Sequence, residues 1–313
     1  MTFESMDFIA SYPHQPYGYK ELMEDLKRLS KHYPSIHQEV IGQSVMEKPI
    51  VAVRLGEGPR EVHFNGAIHA NEWITSALLM KFVAEYAQAN FVPAEIAQAT
   101  PPGYFRVKNG QQLWRETCVW VVPMMNPDGV ELVVEGIVPR HPFYKELLEW
   151  NRGSSQFTHW KANIRGVDLN DQFPAHWEEE RSRRSEPGPG PCNYSGEDPL
   201  TEPEAKAIFT FTHNRNFQLI ITLHTQGKEI YWNYRNLEPE VSQSIAQKFA
   251  EVSGYLPVKL TDSDAGYKDW FIQAFGRPGF TVEAGQGVNP LPLSQFHEIY
   301  EEVVNILLLG MEG

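Results

Sequence analysis

A chain of 313 residues, 42% hydrophobic and 21% charged, has the make-up of an ordinary soluble globular protein and is long enough for one large α/β domain or two smaller ones. The formal net charge of −13, with no basic cluster, argues against nucleic acid or an anionic membrane surface as partner, and no apolar run is long enough to span a bilayer. Two cysteines, Cys118 and Cys192, are too few for a disulfide scaffold or a cysteine-type zinc site.

Met1 to Ala10 contains Glu4 and Asp7 and lacks a basic segment leading into an apolar core, so it does not read as a secretion signal. The expectation is a cytoplasmic protein, or a cell wall-associated or secreted one if the chain is a mature fragment. Leu22, Leu26 and Leu29, with Tyr33 following, predict an amphipathic helix over Tyr17 to Tyr33 that Pro34 stops. Two alternating runs, His37 to Val45 and Pro49 to Leu55, predict paired strands. Glu61 to Ala67 predicts another strand, and Trp73 to Val83 a buried helix. Pro101-Pro-Gly103 marks a loop. Thr117 to Pro123 is apolar throughout, as in a strand buried on both faces, and Cys118 within it reads as a buried free thiol. Asn126-Pro-Asp-Gly129 then reads as a loop with strong turn chemistry.

Ser185-Glu-Pro-Gly-Pro-Gly-Pro191 is neither helix nor central strand. A linker between domains is one reading. A surface loop inside a single domain spanning 1–313 is preferred, because motifs on both sides of it must converge. Helices are predicted from Glu202 to about Asn214, from Glu238 to Ser253 and from Ser294 to Leu309. Leu219 to Leu223 reads as a strand ending at His224. Strands alternate with helices for most of the length. The expected fold is α/β, with a mixed, mostly parallel central sheet flanked by helices on both faces.

The chemical signal is His69-Ala-Asn-Glu72, set where a strand turns into a helix, together with the distant His224. Two imidazoles and a carboxylate suffice for a catalytic zinc ion, which takes about three protein ligands and leaves a position for water. Taken alone, the spacing also admits Glu72 as a favourable first-turn acid and His69 as a hydrogen-bonded loop residue.

Asn126-Pro-Asp-Gly129, Trp160-Lys-Ala-Asn-Ile-Arg-Gly-Val-Asp-Leu-Asn170, Leu223-His-Thr225 and Phe280-Thr-Val-Glu-Ala-Gly285 follow in fixed order. With His69-Ala-Asn-Glu72 in front, the chain resembles the zinc metallocarboxypeptidase family over most of its length. That resemblance implies one zinc ion on His69, Glu72 and His224, and Glu283 as the general base. Leu223-His-Thr-Gln-Gly227, Ile230-Tyr-Trp232 and Ala265-Gly-Tyr-Lys-Asp-Trp-Phe-Ile272 resemble one branch, the bacterial γ-D-glutamyl-diamino acid endopeptidases that cut peptidoglycan stem peptides. The expected substrate is thus a γ-D-glutamyl bond to meso-diaminopimelate or lysine. The alternative is a metallocarboxypeptidase that trims C-terminal residues with altered specificity.

Departures from the family pattern shape the remaining expectations. Where the family usually has Asn-Arg to grip a terminal carboxylate, this chain has Asn170-Asp171. A carboxylate there would repel a carboxylate and favour an ammonium group. Where the family usually polarises the scissile carbonyl with arginine, Trp160 is followed by Lys161, with Arg165 the other candidate. The tyrosine that closes over substrate in digestive members has no evident counterpart; an ungapped count back from Trp270 falls near Thr261. Asn170, Asp171, Thr225 and Tyr231 are the candidate substrate contacts, with core packing an equal prospect for Tyr231 and Trp232. Arg215, Arg235 and Arg277 are possible partners for substrate carboxylates, each read more readily as a surface charge.

Overall fold

The computed structural model describes residues 8–11, 13–91, 110–184 and 186–312. The loop expected at Pro101-Pro-Gly103 lies outside the described residues. Eight strands form one mixed sheet: β1 (His37–Gln43), β2 (Pro49–Leu55), β3 (Arg60–Gly66), β4 (Thr117–Val122), β5 (Phe217–His224), β6 (Glu229–Tyr231), β7 (Leu256–Val258) and β8 (Gly279–Glu283). Their order is β1-β2-β4-β3-β5-β8-β6-β7. β4, β3, β5 and β8 are mutually parallel, whereas β1–β2, β2–β4 and β6–β8 are antiparallel.

Helices cover both faces: α1 (Tyr19–His32), α2 (Ile74–Phe91), α3 (Gly110–Glu116), α4 (Pro127–Glu135), α5 (Tyr144–Trp150), α6 (Trp177–Arg184), α7 (Pro203–His213), α8 (Val241–Ser253), α9 (Tyr267–Phe275) and α10 (Phe296–Met311). Side chains alternate across a strand, and here the alternation divides the core. Val62, Phe64, Val119, Val121, Leu219 and Ile221 face α1, α2 and α10. Cys118, Trp120, Val122 and Ile220 face α7 and α9. Cys118 is a buried free thiol, as expected. α2 is buried nearly all round, which explains why its apolar run extends beyond the stretch expected from sequence.

Asn126-Pro-Asp-Gly129 proves to be the start of α4 as well as a turn. The Asn126 side chain accepts the Gly129 amide at 3.0 Å, and Pro127 occupies the first turn. A Cβ at Gly129 would meet the carbonyl oxygen of Ala162 at 2.7 Å, so no larger residue fits there.

The strands that precede and follow the Pro/Gly loop belong to the same sheet. Residues 186–191 form neither helix nor strand. The Pro191 carbonyl accepts the amides of Lys161 and Ala162 at 2.8 and 3.0 Å, so the loop is strapped onto the segment that carries the site.

Candidate active site

The chain crosses from β3 through α2 to β4 on one side, and β5 lies on the other side of β3. Such a reversal opens a crevice at the carboxyl ends of the parallel strands. His69 and Glu72 follow β3, His224 ends β5 and Glu283 ends β8. Register aligns them: Gly66 pairs with Leu223, and His224 pairs with Glu283. A Cβ at Gly66 would meet Thr75 Oγ1 at 2.9 Å, so glycine lets the start of α2 sit against the end of β3. Asn126 completes the scaffold by donating from its side-chain amide to the carbonyls of Ile68 and Ala162, at 3.2 and 3.0 Å. It thereby clips the His69 loop to the Lys161 segment.

Among the described residues, His69, Glu72 and His224 are the group of buried side chains with metal-binding atoms within 4.8 Å of one another. Nδ1 of His69 lies 2.8 Å from Glu72 Oε1 and 3.2 Å from Nδ1 of His224. His224 Nδ1 also lies 3.2 Å from Glu72 Oε2, which accepts the Thr225 amide at the same distance. His224 Nε2 is buried without a hydrogen-bond partner among the described residues. Two buried imidazole nitrogens aimed at each other and at one carboxylate fit the few-donor N/O set that zinc takes in catalytic sites.

Electrostatics support the same fit. Burial and the Lys161 ammonium work against a charged His69, but Glu72 and Asp168 outweigh them and raise its pKa to about 9. An environment that holds a proton this firmly also favours a metal cation. Burial, followed by the Glu72 charge, pushes the Glu283 carboxyl up to about 8. The charges of His69 and Lys161 oppose that rise without cancelling it.

Asp168 carries a role that sequence reading did not assign. Its Oδ1 lies 3.2 Å from His69 Nε2, its Oδ2 lies 3.7 Å from Lys161 Nζ, and its side chain caps the 3-10 turn Leu169–Asp171. Lys161 therefore stands beside the cluster. Arg165 instead points to Glu202, with Nη1 at 3.6 Å.

The expected substrate contacts fare differently. Asn170 accepts the Tyr267 amide at 3.2 Å and so holds the start of α9. Thr225 Oγ1 donates to Asn289 Oδ1 at 2.7 Å, and Tyr231 donates its hydroxyl to Glu229 at 2.6 Å. Asp171 requires a correction. It is not an open anion: it is buried, and its oxygens accept from Nε and Nη2 of Arg184 at 3.0 and 3.2 Å. A buried carboxylate needs such a partner, and the guanidinium offsets the repulsion expected of Asp171 alone. Arg215, Arg235 and Arg277 are all occupied, by Glu39, by Asp264 and by the Phe217 carbonyl.

Comparison with known proteins agrees with this geometry. The chain is 46% identical over 297 residues to γ-D-glutamyl-L-diamino acid endopeptidase 1 of Lysinibacillus sphaericus, which covers 95% of this chain and 72% of that protein. Its fold matches that of bovine thrombin-activatable fibrinolysis inhibitor, with a TM-score of 0.71 at 17% identity over 95% of this chain and 96% of the other. It also matches that of murein-tripeptide amidase MpaA from Escherichia coli O157, with a TM-score of 0.54 at 18% identity over 87% and 91% of the two chains. At such identities the two structures speak for the fold alone. The family model for zinc carboxypeptidases matches residues 22–306, and the chain belongs to that family.

Proposed function

We propose that this chain is a zinc metallopeptidase that hydrolyses γ-D-glutamyl bonds to a diamino acid, meso-diaminopimelate or lysine, in peptidoglycan stem peptides, and that it works as a single catalytic domain. The observation that carries the hydrolytic reading is the register of His224 with Glu283 at adjacent strand ends, opposite His69 and Glu72. The substrate class rests on the likeness to the Lysinibacillus endopeptidase.

His69, Glu72 and His224 hold one zinc ion, which supplies Lewis-acid activation of water when bound. Glu283 takes a proton from the attacking water and returns it to the leaving amine. General acid–base help of this kind contributes roughly two to four orders of magnitude in rate. Lys161 faces the oxygen on which negative charge develops, as a point charge rather than the planar fork of an arginine. Asp168 holds both His69 and Lys161 in place.

The test is a panel of synthetic stem peptides with product identification by mass spectrometry. Cleavage between γ-D-glutamate and the diamino acid is expected. Efficient release of single C-terminal residues from ordinary L-peptides, with stem peptides left intact, would replace this reading with that of a metallocarboxypeptidase.

A further inference from the structure

Arg184 ends α6 and reaches Asp171, which begins just past the Asp168 that backs His69. The Asp171 amide donates to the Asp168 carbonyl at 3.1 Å, so the pair is tied to the site by backbone as well as by charge. One edge of the Arg184 guanidinium is clamped. Nε and Nη2 lie on Asp171, and Nε also lies 2.7 Å from Glu180, an acid that is itself 1% exposed. Nη1 has no partner among the described residues, and the Arg184 side chain stays 33% exposed.

The clamping acids belong to a wider ion-pair network. Glu180 also pairs with Arg183, Arg183 reaches Asp264 at 2.7 Å, and Asp264 pairs with Arg235. Three buried carboxylates, with the exposed Glu179 also on Arg235, thus share three guanidinium groups, and Arg184 is the one bonded to the turn behind His69. Through Asp171 and the Asp168 carbonyl it stands next to the acid that contacts both His69 and Lys161. A planar guanidinium pinned along one edge and open along another is preorganised for a carboxylate.

We propose that Arg184 is a specificity-determining residue that binds a free carboxylate of the substrate beside the scissile bond. The inference rests on the γ-glutamyl reading above. A γ-linked glutamyl residue keeps its α-carboxylate free next to that bond, and the diamino acid carries carboxylates of its own. Both sources present the same chemistry to the guanidinium.

The experiment compares kcat and KM on three stem peptides: one with all carboxylates free, one with the glutamyl α-carboxylate amidated, and one with the diamino acid carboxylates amidated. The wild type should discriminate against one amidated peptide by about 10- to 100-fold, mainly through KM, as expected for one charge-assisted contact. Which peptide suffers identifies the source. Arg184→Gln should lose this discrimination by slowing only on peptides that carry the recognised carboxylate, and Arg184→Lys should keep part of it. Arg181→Gln, on the same helix but paired with Glu197 and not with the acids that clamp Arg184, should retain it in full. Thermal unfolding of each variant separates loss of recognition from loss of fold. The proposal is overturned by a wild type that treats all three peptides alike, by an Arg184→Gln enzyme that keeps the preference, or by one that slows equally on every peptide. Should the wild type trim ordinary L-peptides instead, the γ-glutamyl reading falls. The same acid-against-amide comparison at the peptide C-terminus then decides Arg184: loss of preference in Arg184→Gln sustains its role, and retention ends it.

Discussion

Asp168 and Glu72 bracket the His69 imidazole, one acid 3.2 Å from Nε2 and the other 2.8 Å from Nδ1. The ring is thereby fixed in plane and in orientation before any cation arrives. The Asp168 side chain also caps a 3-10 turn by accepting the Asn170 amide, and that hydrogen bond holds the carboxylate in place behind His69.

Replacing Asp168 with asparagine should keep the turn, since asparagine caps as well as aspartate does. It should remove the charge behind His69. Zinc affinity is expected to fall about 10- to 100-fold, the usual cost of losing such a support. Competition against a chromophoric chelator measures it. Unchanged affinity in Asp168→Asn would remove Asp168 from the metal centre.

His224→Ala should abolish stoichiometric zinc binding and activity together, because it takes one of the two imidazoles from the cluster. Metal content after dialysis is the readout. A variant that retains one zinc per chain at wild-type affinity would show that the ligand set is wrong.

Much of this arrangement is written locally in the chain. β4 was legible because five apolar residues in a row, Cys118 to Val122, have few other fates, and β2 because Ile50 to Val53 is a short apolar run rich in β-branched residues. The His69–Glu72 pair was legible because its strand and its helix are both strongly patterned. α6 was not: Trp177-Glu-Glu-Glu-Arg-Ser-Arg-Arg184 has no apolar periodicity, and its acids-first, bases-last order favours the helix through the dipole instead. α4 was hidden because Asn-Pro-Asp-Gly serves a turn and a helix N-terminus equally. The Asp171–Arg184 pair joins residues on different elements, and no local pattern announces such a contact.

Glu283→Gln should leave fold and zinc content intact and cost at least ~100-fold in kcat, since proton transfer alone is lost. The isosteric amide keeps its place at the end of β8, so the two readouts separate cleanly. Near wild-type turnover in this variant would exclude Glu283 as the base.

Glu204 offers a test of stability away from the metal cluster. It lies buried on α7, where Oε1 accepts the Val45 amide at 3.1 Å and Oε2 lies 3.4 Å from the Asn163 side-chain amide. Burial, with the charge of Asp128 adding to it, pushes its carboxyl from the ordinary 4.5 up to about 7. The folded state therefore holds this proton more tightly than the unfolded chain does. Its contribution to stability is fully present below about pH 4.5 and is lost as pH rises towards 7. Glu204→Gln has no proton to lose. Relative to the wild type, the variant should gain stability steadily between about pH 4.5 and 7, by up to a few kcal/mol, and no further above that range. Urea unfolding of both proteins at pH 5, 6, 7 and 8 measures the difference, under conditions set by the usual linkage treatment. A gap between variant and wild type that stays constant across the series would show that Glu204 does not titrate in this window. Zinc content should not change, because Glu204 braces the turn after β1 and the Asn163 segment and does not contact the His69–Glu72–His224 cluster.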